Sequence, residues 1–285
     1  MLQTARLAPR LLSDAASLVA EFTHAHHHQA GGFADRAGDC DLYYTVFGLG
    51  NLLALQETVP AEALVGYLQS FGSGEDLDLI HRCALIRAWA GLGDVPAQHH
   101  DALAAGLERY RSADGGFNET PDEATGSAYG AFLAVGAYQD LNRETPHADR
   151  ILASVDALRT QDGGFGNYRD LPMGTTPAFS AAENVKRALG QPLRPEDGDW
   201  LLNQRQHGGF LAVPGAPMPD LLSTAVALFA LTALGVSLEV IREPCLDYID
   251  SLWVNRGAFY GNWGDDILDC EYTFYGLLAL GCLAL

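Results

Sequence analysis

Carboxylates at metal-binding spacing are the first chemical signal in the chain. Asp265-Asp266-Ile267-Leu268-Asp269 fits an Asp-Asp-x-x-Asp pattern. On a helix the i and i+4 carboxylates share a face, where Mg²⁺ can bridge them to a diphosphate. Asp39, Asp41, Asp269 and Glu271 are therefore candidate ligands for Zn²⁺ or Mg²⁺. The alternative for Asp41, Asp78, Asp220 and Asp269 is structural, because aspartate is a leading helix N-cap. The cations that could meet a diphosphate are Arg82, Arg87, Lys186 and Arg187, each in an otherwise apolar stretch where unpaired burial is expensive. Salt bridges to nearby acids would account for them equally well. His24, His26, His27 and His28 read as helix-end histidines or as a divalent-metal cluster.

The elements that carry these groups recur. Gly-Gly-Phe occurs at 31 to 33, 115 to 117, 163 to 165 and 208 to 210, with worn copies at Gly72 and at Gly257-Ala258-Phe259. The steps between copies are 41, 43, 48, 45 and 49 residues, so six repeats fill the chain. Each repeat reads as an amphipathic helix stopped by its glycine turn, a polar loop, then a more apolar helix starting near Asp41, Asp78, Ser127, Thr176, Asp220 or Asp269. Thr176-Pro177 supplies a capping hydroxyl followed by proline. Strand alternation is nowhere sustained, which predicts an all-α fold. Six hairpins whose second helices are apolar almost all round pack best as an inner ring inside an outer ring, a closed (α/α)6 toroid forming a single domain over 1–285. Closure buries the apolar end Leu283-Ala284-Leu285 against the first repeat.

Composition narrows the ligand. A net charge of −19 with Lys186 as the sole lysine excludes nucleic acid and an anionic membrane patch. Five scattered cysteines without a CxxC pair predict reduced thiols, and no stretch reads as a secretory signal or a membrane span, so the sequence points to the cytoplasm. Tyr43, Tyr44, Phe47, Trp89, Tyr129, Phe132, Phe179, Phe229, Tyr272, Phe274 and Tyr275 on the second helices either line an axial cavity or fill the core.

Gly31-Gly32-Phe33-Ala34-Asp35-Arg36-Ala37-Gly38-Asp39, followed by Asp41-Leu42-Tyr43-Tyr44-Thr45, resembles the repeat of protein prenyltransferase β subunits, to which the repeats of squalene cyclases are related. The resemblance runs from roughly residue 8 to 285. It implies a toroid whose aromatic cavity holds a prenyl diphosphate or polyprenyl lipid, and a helical-repeat partner subunit. It also implies zinc bound by an Asp-x-Cys pair and a histidine of the next repeat, activating a thiol. Here Leu222 stands where the thiolate belongs after Asp220, and Tyr272 where the histidine belongs. A permuted register pairs Asp41 with His81. Of the cyclase acid motif, Asp-x-Asp-Asp, the nearest form is Asp39-Cys40-Asp41-Leu42. The expected function is thus a prenyltransferase-like or terpene cyclase-like protein, with a non-catalytic binding toroid that has lost its metal site as the alternative.

Overall fold

A computed structural model describes every residue of the chain except Asp94. Outer and inner helices alternate in six hairpins: α1 (Ala16–Ala25) and α2 (Leu42–Leu55); α3 (Ala61–Gln69) and α4 (Leu79–Gly91); α5 (His100–Glu108) and α6 (Ala128–Asp140); α7 (Ala148–Asp156) and α8 (Thr176–Ala188); α9 (Gly198–Leu202) and α10 (Leu221–Ala233); α11 (Glu239–Leu252) and α12 (Cys270–Leu283). The short strands of three two-residue hairpins are the extended elements among the described residues: β1 (Phe33–Ala34) with β2 (Cys40–Asp41), β3 (Arg205–Gln206) with β4 (Gly209–Phe210), and β5 (Trp253–Val254) with β6 (Ala258–Phe259). The fold is all-α, as the repeats predict.

The chain forms two compact units, Met1–Tyr67 with Pro195–Leu285, and Leu68–Arg194. In the first, α12 packs against both α10 and α2. The last repeat therefore meets the first, and Asn51 of α2 donates to the Cys270 carbonyl at 3.1 Å. Leu283 is buried there, although Leu285 itself is 70% exposed. In the second unit α6 packs between α4 and α8.

The glycine turns do not stop the outer helices, as the sequence suggests they should. Helices α5 and α7 end at Glu108 and Asp156, several residues before Gly115 and Gly163. The intervening residues fold back as β-bridges, with Arg111 opposite Phe117 and Arg159 opposite Phe165. The first glycine of each turn needs a left-handed backbone, with φ of 102° at Gly31 and 87° at Gly257. A Cβ on Gly257 would fall 1.9 Å from the Leu18 carbonyl oxygen of α1, so the last turn seats on the first outer helix.

The four Gly-Gly-Phe turns are wired to the inner helices that follow them. The carbonyls of Phe117 and Phe165 accept from the cap residues Ser127 and Thr175 at 2.8 and 2.9 Å. The hydroxyls of Thr45 and Thr224 accept from Phe33 and Phe210 backbone N–H groups at 2.9 Å and donate to the cap carbonyls of Asp41 and Asp220. The ring then lies on a small residue one turn further along: a Cβ on Gly48 would sit 2.3 Å from the Phe33 ring, and one on Gly276 2.4 Å from Phe259.

The fourth helix start differs by one residue from the sequence reading. Thr175, not Thr176, is extended and accepts from the Ala178 N–H at 3.2 Å, while Thr176 is already helical. The hydroxyl must stand three residues before its donor, and the ten-residue step from Phe165 matches that from Phe117 to Ser127.

Arg82 occupies the fourth position of α4, where three of the other repeats carry threonine (Thr45, Thr224 and Thr273), in a repeat that lacks a Gly-Gly-Phe turn. Its guanidinium, 2% exposed, donates to the carbonyls of Ser73, Glu75 and Leu77 and fits against Gly106. Arg82→Met should cost about 1–3 kcal/mol, because the Ser73 carbonyl loses this donor while those of Glu75 and Leu77 keep Arg109 and Tyr110. Thermal denaturation checks this, and lost ligand affinity with an unchanged Tm would instead assign Arg82 to the ligand.

Candidate functional site

The inner helices start with residues that can accept from their own first turn. Asp41, Asp78, Asp220 and Asp269 are N-caps, accepting from Tyr44, His81, Ser223 and Tyr272 N–H groups, and Ser127 and Thr175 cap α6 and α8. Among the described residues no three His, Cys, Asp or Glu side chains converge as a metal-binding group. His81 instead pairs through Nδ1 with the Asp78 carboxylate at 2.9 Å. Asp39 is exposed on the β1–β2 turn, and Ser223 Oγ donates to Asp220 at 2.7 Å.

In the first unit one cluster does form, at the N-terminal ends of α2 and α12. Asp269 is 1% exposed, and its two oxygens have different partners: Oδ1 caps the Tyr272 N–H at 2.7 Å and Oδ2 accepts from Arg36 Nε at 2.5 Å. The rest of the Arg36 fork reaches Asp265 at 2.9 and 3.3 Å, and the guanidinium lies over the Tyr272 ring. Burial alone would raise the Asp265 pKa, but the Arg36 bonds and the N–H groups of Ile267 and Gly261 bring it below the usual range. The Asp-Asp-x-x-Asp run is thus a salt-bridged latch across 233 residues rather than an open ligand set. The donors present do not fit a resident metal.

Glu271, in the first turn of α12, has a different environment. It accepts from Tyr43 Oη at 2.6 Å. Burial is the main cause that pushes its pKa up to about 6; the neighbouring Asp269 charge adds to the rise, while the Tyr43 bond and Arg36 oppose it. An aromatic strip runs down from this carboxyl. Tyr43 meets Phe47 edge-on at 5.0 Å, and Phe47 lies 5.9 Å from Phe274 and 5.8 Å from Tyr275. Tyr44, Tyr272 and Tyr275 flank it, half-buried. Gly50 continues the face of Tyr43 and Phe47, with the Phe274 ring 3.1 Å from where its Cβ would be.

The second unit places its candidates apart. Arg87 pairs with Asp140, and Lys186 Nζ lies 3.1 Å from Glu183, 3.3 Å from Asp156 and over the Phe165 ring. Arg187 donates to Asn184. Arg87, Lys186 and Arg187 all sit toward the C-terminal ends of their helices, whereas the acidic caps are at the N-terminal ends. Those cations therefore do not share a helix end with the carboxylates. Trp89 and Phe179 are buried, the latter against Phe165, and Phe132 is half-buried. Tyr129 borders a cavity of about 240 Å³ with Asn167, Thr175, Pro177, Ala178 and Ala181.

Arg36 is the member of this cluster that sequence reasoning passes over. Arg82, Arg87, Lys186 and Arg187 lie on inner helices, whereas Arg36 stands on the turn between β1 and β2. The available signal was ring closure, which brings the first loop to the last helix.

The chain matches the Prenyltransferase alpha-alpha toroid domain over residues 10–86, 72–172 and 192–283. No curated protein sequence matches it significantly. Among solved structures, a variant of the type II terpene cyclase MstE from Scytonema, in complex with its substrate geranylgeranyl dihydroxybenzoate, superposes with a TM-score of 0.65 at 17% identity, covering 97% of each chain. The apo MstE gives 0.63 at 16% identity over 96% of this chain and 97% of its own. Candida albicans protein geranylgeranyltransferase-I complexed with GGPP gives 0.63 at 14% identity, over 94% of this chain and 90% of that one. No helix among the described residues is long and apolar enough to cross a membrane.

Proposed function

Because the chain belongs to the prenyltransferase α/α-toroid domain family, we propose that it binds an isoprenoid chain along the aromatic strip of α2 and α12, with Glu271 as proton donor. The observation that carries this reading is the junction of the two features. A carboxyl with a pKa of about 6 stands at the head of Tyr43, Phe47, Phe274 and Tyr275. Isoprenoid ligands named for both MstE and the geranylgeranyltransferase support the chain class.

The chemistry is an isomerisation that needs no co-reactant. The proton of Glu271 passes to one alkene carbon, and the alkene π pair becomes the new C–H bond. The cation left on the other carbon is attacked by a second alkene of the chain, closing a ring. Loss of a proton to the Glu271 carboxylate restores the acid. Aromatic faces stabilise the travelling cation, and a donor with a pKa near the working pH is available in its acid form. Tyr43 holds the carboxyl in place through its hydroxyl. No step is routed through a metal, since the Asp269 oxygens already serve Tyr272 and Arg36.

Binding of geranylgeraniol, read by tryptophan fluorescence and calorimetry, tests the reading. Micromolar affinity that weakens at least tenfold in Phe47→Ala supports it, and an absence of binding at saturating probe overturns it. Binding without any cyclised product, measured by gas chromatography and mass spectrometry, would favour the non-catalytic toroid.

A further inference from the structure

Resting on that reading of the site, we infer that the isoprenoid it takes carries an uncharged head group and not a diphosphate. The inference comes from how the cation at this rim is used. Arg36 is the cation that reaches the N-terminal ends of α2 and α12 in the first unit, and it spends three donors on two carboxylates. Tyr272 covers one face of its guanidinium. A diphosphate would have to displace Asp265 or Asp269 from Arg36, and each displaced carboxylate would remain beside the incoming anion.

Asp265 and Asp269 outnumber Arg36, and the Glu271 carboxyl adds negative charge whenever it ionises. Asp265 and Asp269 are linked through Arg36 by direct hydrogen bonds, so their charges lie closer together than the roughly 8 Å screening length of physiological salt. The Asp269 side chain is 1% exposed, so water screens its charge still less effectively. The dipoles of α2 and α12 would favour an anion, but Asp41 and Asp269 set a carboxylate at each of these helix ends and take one first-turn N–H apiece, those of Tyr44 and Tyr272. The other cations offered by the sequence do not repair this. Arg82 is held by loop carbonyls, while Arg87 and Lys186 are paired with acids and Arg187 donates to Asn184, all three toward the C-terminal ends of their helices.

An uncharged head meets none of these costs. A hydroxyl can exchange hydrogen bonds with the remaining Arg36 N–H groups, and a hydrocarbon end needs only the aromatic strip. Asp265 is then the selectivity residue. It contacts Arg36 and the backbone N–H groups of Gly261 and Ile267, and it has no place in the proton transfer.

The test is a paired titration of the full chain with geranylgeraniol and geranylgeranyl diphosphate, the latter with and without Mg²⁺. The expected result is at least tenfold tighter binding of the alcohol. Asp265→Asn should strengthen diphosphate binding about fivefold, by freeing Arg36, and leave the alcohol unchanged. Arg36→Gln should weaken the diphosphate further, which keeps the charge argument measurable if Asp265→Asn fails to fold. Equal or tighter binding of the diphosphate, with or without Mg²⁺, overturns the inference while leaving the isoprenoid site intact. Binding of neither probe overturns the site itself and the inference with it.

Discussion

Glu271→Gln is expected to lower conversion of a neutral geranylgeranyl substrate by 10²- to 10⁴-fold with little change in affinity, the range by which a positioned general acid contributes. The amide keeps a hydrogen bond to Tyr43 and nearly the same volume, so the loss would isolate the proton. Wild-type turnover should fall as pH rises through about 6, where the donor ionises. Stability gives an independent readout of the same group. The folded carboxyl binds its proton more tightly than the unfolded one, whose pKa is near the ordinary 4.5. Its raised pKa therefore favours the fold relatively below that value, and the advantage is lost as pH climbs through about 6. The difference amounts to about 2 kcal/mol. Glutamine does not titrate, so Glu271→Gln should match wild type near pH 4 and exceed it by up to that amount near pH 8 in urea denaturation. A variant less stable than wild type at both pH values would show that burial does not govern this carboxyl.

The second large effect concerns the repeat itself. Gly48→Ala should destabilise the fold by about 2–3 kcal/mol, because its Cβ would fall 2.3 Å from the ring of Phe33, which is fully buried and has no room to withdraw. Phe33→Ala should cost about 3–5 kcal/mol through the cavity it leaves. In the double variant the new methyl group enters space that the ring has vacated. The two losses should then fall short of additivity by at least 1 kcal/mol in a double-mutant cycle. Strict additivity would mean that the ring and the glycine do not act as one packing unit. The same cycle at Phe259 and Gly276 should give the same sign, since the Cβ there would approach the ring to 2.4 Å.

These two sites show what a single sequence reveals and what it withholds. The six-hairpin all-α fold is legible because glycine turns and aspartate, serine or threonine caps act locally, within one repeat. The cap at Thr175 is misplaced by one residue only because Thr176 offers the same hydroxyl, and spacing from the preceding phenylalanine resolves it. The threonine at the fourth helix position is visible as a repeated letter, but its role in tying Phe33 to Asp41 needs the turn in three dimensions. Arg82 stands in that same register and looks like a ligand cation until its loop partners are seen.

The site is less legible because its decisive bonds are long-range. Tyr43 and Glu271 are 228 residues apart, and Arg36 reaches Asp265 and Asp269 from the opposite end of the chain. Nothing in Asp265-Asp266-Ile267-Leu268-Asp269 indicates that an arginine already occupies it. Glu271 can be picked out as a carboxylate by sequence alone, yet its change of role from ligand to proton donor depends on burial and on the Tyr43 hydroxyl.

The most direct measurement of the central proposal is photo-crosslinking with a geranylgeranyl alcohol analogue carrying a terminal diazirine, followed by peptide mapping. The proposed site predicts labels on the peptides that contain Tyr43 to Phe47 and Tyr272 to Tyr275, competed away by excess geranylgeraniol. Labels confined to the outer groove beside Phe22 and Ile267, or labels that geranylgeraniol does not displace, would contradict it.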